Sequence, residues 1–262
     1  MKKDTERNMN ILLEAKGVCK YFGGLAVNRD LSFEIKEGEI MGLIGPNGAG
    51  KTTLINIISG DLEAERGSIR FQGQEIVGLK ANMINRLGIA RTYQVVQPFV
   101  GMTVRENVAV GALFGRRRAK RRGIAEAMIR ADEVLEFCHM SPKKEEPVEN
   151  LTIADIKRLE LAKALATDPS LLLLDEVMAG LNPKEINEAL ALVTRINEMG
   201  ITILVVEHVM KAVMSISRRV MVLHQGTLMT IGTPEAIVKD GQVIEAYLGA
   251  KYAARRKQAG GG

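Results

Sequence analysis

The stretch Gly45-Pro46-Asn47-Gly48-Ala49-Gly50-Lys51-Thr52-Thr53 limits what this chain can be more than any other, because it lies between the apolar run Ile40–Ile44 and the apolar-patterned segment Leu54–Ile58. Gly45, four intervening residues and then Gly50-Lys51-Thr52 reproduce the phosphate-binding loop pattern in full. Glycines are needed where backbone N–H groups converge on phosphate oxygens at distances a side chain would obstruct. Lys51 adds a cation for β- and γ-phosphates, and the Thr52 hydroxyl suits Mg²⁺. The helix beginning near Gly50 turns its positive end to the same anion. A glycine-rich turn before an ordinary helix is the bland alternative, and the order strand, loop, helix argues against it.

A second constraint comes from Leu171-Leu172-Leu173-Leu174-Asp175-Glu176. Consecutive leucines predict a strand buried on both faces, as in a parallel sheet, and the acids stand at its carboxyl end, where α/β sheets bind ligands. A phosphate site of this kind uses one acid for Mg²⁺, which points to Asp175. The next, Glu176, can polarise an attacking water. Ile201–Val206 reads as another buried strand and ends in Glu207-His208, which brings His208 to the same edge as a γ-phosphate contact.

Strand-like runs at Ile11–Val18 and Ala26–Phe33 flank Tyr21-Phe22-Gly23-Gly24, where paired glycines predict a turn. Gly67–Phe71 reads as a strand, Leu79–Leu87 as a short helix and Ile89–Gln94 as a short extended run. The pattern then changes to helical periodicity from about residue 95 to 165, with helices over Thr103–Phe114 and Ile124–His139. Thr152 is an N-cap for a third, with Ile153, Ile156, Leu159 and Ala162 on one face and Lys157, Arg158 and Glu160 off it. Pro183–Met199 is a helix, Arg219–Leu223 and Thr227–Thr230 form a hairpin, and Thr233-Pro234 opens a short helix.

With 46% hydrophobic and 26% charged residues the composition is that of a soluble globular protein. No window approaches the roughly 18 consecutive apolar residues of a membrane span. The charged start Met1–Arg7 lacks a signal peptide's apolar core, which gives a cytoplasmic expectation. Cys19 and Cys138 stand far apart without metal-ligand neighbours and read as plain thiols. The net charge of 36 − 31 = +5 suits an anionic partner without choosing one. Arg116–Arg122 holds six cations in seven residues, either a solvated loop or a patch near anionic headgroups, and no aromatic interleaves it as single-stranded nucleic acid would require.

These motifs, in this order from about Leu13 to Leu248, resemble the ATP-binding-cassette ATPases. The resemblance implies an α/β P-loop ATPase fold in one domain: a parallel-sheet core and an antiparallel β subdomain over about 11–94 and 166–248, an inserted helical subdomain over about 95–165, and a flexible tail 249–262. It makes Phe22 the aromatic on adenine, Gly45–Thr53 the ATP phosphate loop, and Gln94 a glutamine that touches Mg²⁺ and follows the membrane subunits. Asp175 becomes the Mg²⁺ acid, Glu176 the catalytic glutamate and His208 the switch histidine. Tyr21–Gly24, Arg91–Gln94, Ala179–Pro183 and Val205–His208 are similar to ATPases of branched-chain amino-acid importers.

The chain departs from the family at its signature, usually Leu-Ser-Gly-Gly-Gln, which is Leu151-Thr152-Ile153-Ala154-Asp155 here. The usual D-loop Asp is Asn182, and Val177 replaces the expected Pro after the catalytic glutamate. The resemblance implies an ATPase peripheral to the cytoplasmic side of a membrane. Its partners would be a second ATPase subunit, permease subunits and, indirectly, a solute-binding protein, with no nucleic acid. Thr152, Ala154 and Asp155 would meet the partner's nucleotide. The Cβ atoms that Ile153 and Ala154 add in place of glycine, and the Asp155 charge, imply unequal sites and a partner of different sequence. The alternatives are a soluble non-transport cassette ATPase, or an importer ATPase for urea, amides or aromatic acids.

Overall fold

The computed structural model describes residues 10–94, 96–116 and 123–248; most of the basic run Arg116–Arg122 and the tail 249–262 lie outside the described residues. Strands β1 (Ile11–Phe22), β2 (Leu25–Lys36) and β3 (Ile40–Ile44) lead to helix α1 (Lys51–Ser59). β4 (Arg66–Phe71), β5 (Gln74–Glu75), α2 (Ala81–Leu87) and β6 (Ile89–Arg91) follow. Helices α3 (Val104–Phe114), α4 (Ile124–Phe137) and α5 (Ile153–Ala166) precede β7 (Leu171–Asp175). α6 (Pro183–Glu198), β8 (Thr202–Val206), α7 (Met210–Ile216), β9 (Arg219–His224), β10 (Thr227–Gly232), α8 (Pro234–Ile237) and α9 (Gly241–Leu248) complete the described residues.

Six strands in the order β10-β9-β3-β8-β7-β6 form the main sheet, parallel throughout except where β10 returns against β9. Both its faces are covered, which explains strands with no polar alternation. Leu172, Leu174, Ile203 and Val205 enter a core shared with α3, α4, α5 and α6. Leu171, Leu173, Leu204 and Val206 enter the opposite core, shared with α1 and the separate sheet β2-β1-β4-β5. Successive residues of one strand thus serve two cores, as the period of a strand demands. Because β3, β8, β7 and β6 run the same way, their carboxyl ends stand together along one edge.

Strands β1 and β2 and helix α5 differ from their sequence expectation. β1 and β2 extend past Val18 and Phe33, pairing to the turn at Gly23-Gly24, because a bulged antiparallel ladder satisfies backbone groups even where side chains face water. In α5, Ile153 is 67% exposed, while Glu160 is buried and paired with Lys163 at 2.6 Å. Thr152 and Ile153 at the start of α5 face solvent, and the later residues pack against α3, α4 and β6, so burial follows position along the helix more than one face.

Leu174 has no exposed surface, so Leu174→Ala is expected to cost about 2–5 kcal/mol in urea unfolding. Ile153→Ala, at the solvent-facing start of α5, is expected to stay within about 0.5 kcal/mol. Equal losses from the two would contradict the packing described.

Candidate functional site

Between β3 and α1 the chain loops through Gly45–Gly50. A Cβ on Gly45 would lie 2.3 Å from the Leu223 carbonyl oxygen. Gly50 has φ of +95°, and a Cβ there would meet Asn28 Nδ2 at 2.5 Å and the Val27 carbonyl oxygen at 2.6 Å. Gly50 is the N-cap of α1 and offers no capping side chain, which leaves the first-turn N–H groups available to an anion. Buried Asn28, which the sequence did not single out, donates from Nδ2 to the Gly50 carbonyl at 3.1 Å and steadies the loop from β2.

Lys51 Nζ donates to the carbonyls of Gly45 at 2.7 Å and Pro46 at 3.0 Å, so loop and cation are already assembled. Burial lowers this ammonium below the ordinary lysine range, and the carboxylates of Glu176 and Asp175 pull the other way. Asn47, Gly48, Ala49, Gly50, Lys51, Thr52 and Thr53 line a cavity of about 220 Å³ together with Val27, Glu176 and His208. That is below the roughly 300–1,000 Å³ of pockets that enclose a whole ligand, and is matched to a phosphate chain with the rest outside. Phe22 does not line it; the ring is 48% exposed at the β1–β2 turn, with Lys20 Nζ 5.4 Å from its centroid.

Glu176, at the end of β7, is where the other strand ends meet. Its Oε2 accepts from Gln94 Nε2 at 2.7 Å, and His208 Nε2 stands 2.5 Å from its Oε1. Asp175 differs: its Oδ2 accepts from Arg91 Nη2 at 2.9 Å, while its Oδ1 is buried with no hydrogen-bond partner. Burial raises the Asp175 carboxyl, and Arg91 opposes that rise. Arg91 also pairs with Asp61 at 2.9 Å and lies over the Tyr93 ring, 4.7 Å from its centroid. The sequence marked Arg91 only as part of a motif; spacing gave no sign that it bridges β7 to the end of α1.

Thr52, Gln94 and Asp175 line one cleft beside α3 and α5. Hydroxyl, amide and carboxylate oxygens are the hard donors Mg²⁺ takes, and the orphaned Oδ1 of Asp175 is the atom such a cation would satisfy. Among the described residues no group of three or more His, Cys, Asp or Glu could hold a metal.

Thr152, Ala154 and Asp155 are not brought to this cavity; they open α5. The Thr152 hydroxyl accepts from the Asp155 N–H at 3.2 Å, and the Asp155 carboxylate accepts from the Thr152 N–H at 3.3 Å and pairs with Lys143. Burial pushes the Asp155 carboxyl up, but Lys143 and Thr152 outweigh it and hold it below the usual range. The acid is thus engaged in its own helix cap, which eases the repulsion expected from its charge. Two further residues escaped the sequence reading because nothing in their spacing marks them. Glu207, only 3% exposed, accepts from the Met178 N–H at 2.7 Å, and Lys157 Nζ donates to the Glu176 carbonyl at 2.9 Å.

The family model described as ABC transporter matches residues 28–179. The high-affinity branched-chain amino acid transport ATP-binding protein LivG of Salmonella typhimurium is 42% identical over 249 residues, covering 91% of this chain and 98% of LivG. A solved ATP-binding cassette of an ABC transporter in its ADP conformation superposes with a TM-score of 0.81 at 28% identity, over 92% of this chain and 99% of that one. A dimeric cassette in a post-hydrolysis state, bound to ADP and Pi, gives a TM-score of 0.76 at 25% identity over 85% and 98%.

Burial raises the Glu207 carboxyl from 4.5 to about 7, against the pull of the Met178 N–H and Lys157. Between those values the folded chain keeps a proton that the unfolded chain has released, so stability falls as pH rises through this window. Urea midpoints of Glu207→Gln are therefore expected to decline less from pH 5 to pH 8 than those of the parent. Identical slopes would assign the titration to another group.

Proposed function

The chain belongs to the ABC transporter family, and we propose that it is the ATP-binding and hydrolysing subunit of an importer for branched-chain amino acids. The observation that carries this reading is the meeting of Gln94 and His208 on the Glu176 carboxylate beside the phosphate loop. The likeness to LivG supports the cargo class.

In this reading the phosphates of ATP lie along Gly45–Thr53, with Lys51 Nζ turning from the Gly45 and Pro46 carbonyls to phosphate oxygens. Phe22, exposed and outside the cavity, stacks on adenine. Thr52, Asp175 and Gln94 would hold Mg²⁺, which supplies charge neutralisation at the phosphates. Glu176 accepts the proton of the attacking water as its bond to phosphorus forms and the bond to the bridging oxygen breaks. His208 donates its Nε2 proton to a γ-phosphate oxygen, a contact within reach because His208 and the phosphate loop line one cavity.

Hydrolysis works through closure of a head-to-tail pair of ATPase subunits. Thr152, Ala154 and Asp155 at the start of α5 face the nucleotide of the second subunit, a different chain, and a helical subdomain over about 95–165 presents them. The dimeric ADP- and Pi-bound cassette supports such pairing. Among the described residues no helix is long and apolar enough to cross a membrane, which supports a peripheral subunit docked on separate permeases at the cytoplasmic face, with a solute-binding protein engaged indirectly. Phe99 and Phe114, exposed at the cleft that Gln94 lines, suit contact with a permease segment.

Lys51→Ala removes the loop's cation, and a charge-assisted hydrogen bond contributes about 1.5–3 kcal/mol. ATP affinity, measured by equilibrium binding, is expected to fall roughly ten- to a hundredfold, and an unchanged affinity would remove Lys51 from the site. Glu176→Gln is expected to keep ATP while turnover at this site drops by about 10²–10⁴-fold. Parental turnover in that variant, with the second subunit's site disabled, would end the assignment of Glu176 as the base.

A further inference from the structure

Glu176 is one of few non-glycine residues with positive φ among those described, at +52°. A left-handed conformation is disfavoured for a side chain of this size and persists where neighbours hold it. A proline at the next position would restrict the residue before it. Val177 stands there instead, so the conformation of Glu176 rests on what its backbone touches.

Three bonds surround that turn. The Glu176 N–H donates to the Val206 carbonyl at 2.9 Å, within reach of the β8 end. Its own carbonyl accepts from Lys157 Nζ at 2.9 Å, and the Met178 N–H donates to Glu207 Oε1 at 2.7 Å. Lys157 thus holds the carbonyl side of this turn and Glu207 its amide side, with opposite charges that attract across the backbone behind the hydrolytic carboxylate. Neither residue lines the phosphate cavity. We propose that Lys157 and Glu207 are positioning residues that clamp the backbone of residues 176–178 and so fix where the Glu176 carboxylate points. The assignment rests on Glu176 being the base. Lys157 belongs to α5, whose N-cap is Thr152, so the clamp also makes the position of this chain's base depend on the helix it would present to the second subunit's nucleotide.

A misplacement of about 1 Å in a reacting group costs on the order of a hundredfold. In the assembled complex, with the second subunit's site disabled, Lys157→Met and Glu207→Ala are each expected to lower kcat about ten- to a hundredfold, with KM for ATP and equilibrium ATP affinity within about twofold of the parent. Glu207→Gln keeps an acceptor for the Met178 N–H and is expected to recover kcat to within about threefold, which a loss of stability alone would not produce. A Glu207→Gln variant as slow as Glu207→Ala, or losses confined to KM, would overturn the clamp. Glu176→Gln in the same assay separates the two ideas. Slow Glu176→Gln beside unimpaired Lys157→Met and Glu207→Ala defeats the clamp alone, whereas parental Glu176→Gln defeats the reading on which it rests.

Discussion

A single carboxylate holds the edge of this sheet together. Glu176 follows β7, Gln94 follows β6 and His208 follows β8, and the last two meet on the two oxygens of the first. The backbone around Glu176 is tied in turn to Val206, Lys157 and Glu207. The parallel order of the strands makes this possible, since only strands running the same way bring their carboxyl ends to one line. Residues far apart in the chain thus become neighbours without any long loop having to reach across.

Charge at the site is balanced before any phosphate arrives. Lys51 is shared between two loop carbonyls and feels both acids; Asp175 is countered by Arg91, itself shared with Asp61. Each group thereby avoids the cost of a buried charge without a partner. One oxygen is left over, Oδ1 of Asp175. A buried unpaired acceptor is costly on its own and is the place where a cation repays the most.

Most of this architecture can be read in the sequence, for identifiable reasons. The phosphate loop, the leucine strand with its acids and the Ile201–Val206 strand rest on glycine stereochemistry and on two-sided burial, both local properties of residue order. The extent of β1 and β2 was harder, because ladder hydrogen bonds continue where hydrophobic patterning stops. Ile153 and Glu160 exchanged their expected environments because the surroundings of α5 change along its length. Arg91, Lys157, Glu207 and Asn28 could not be found from spacing at all. Each acts on a residue distant in sequence, and a lone polar residue beside apolar ones carries no mark of the backbone group it will meet.

If Gln94 and His208 work through one carboxylate, removing either should leave little for the other to lose, since groups acting as a unit are far from additive. The most direct measurement is a double-mutant cycle on kcat of the assembled complex with the second subunit's site disabled, using Gln94→Ala, His208→Ala and both together, each also in the Glu176→Gln background. The expected result is a double variant within about threefold of the slower single variant, and no further effect of either change once Glu176 is Gln. Losses that multiply independently, and that persist at full size in the Glu176→Gln background, would contradict a site organised on Glu176.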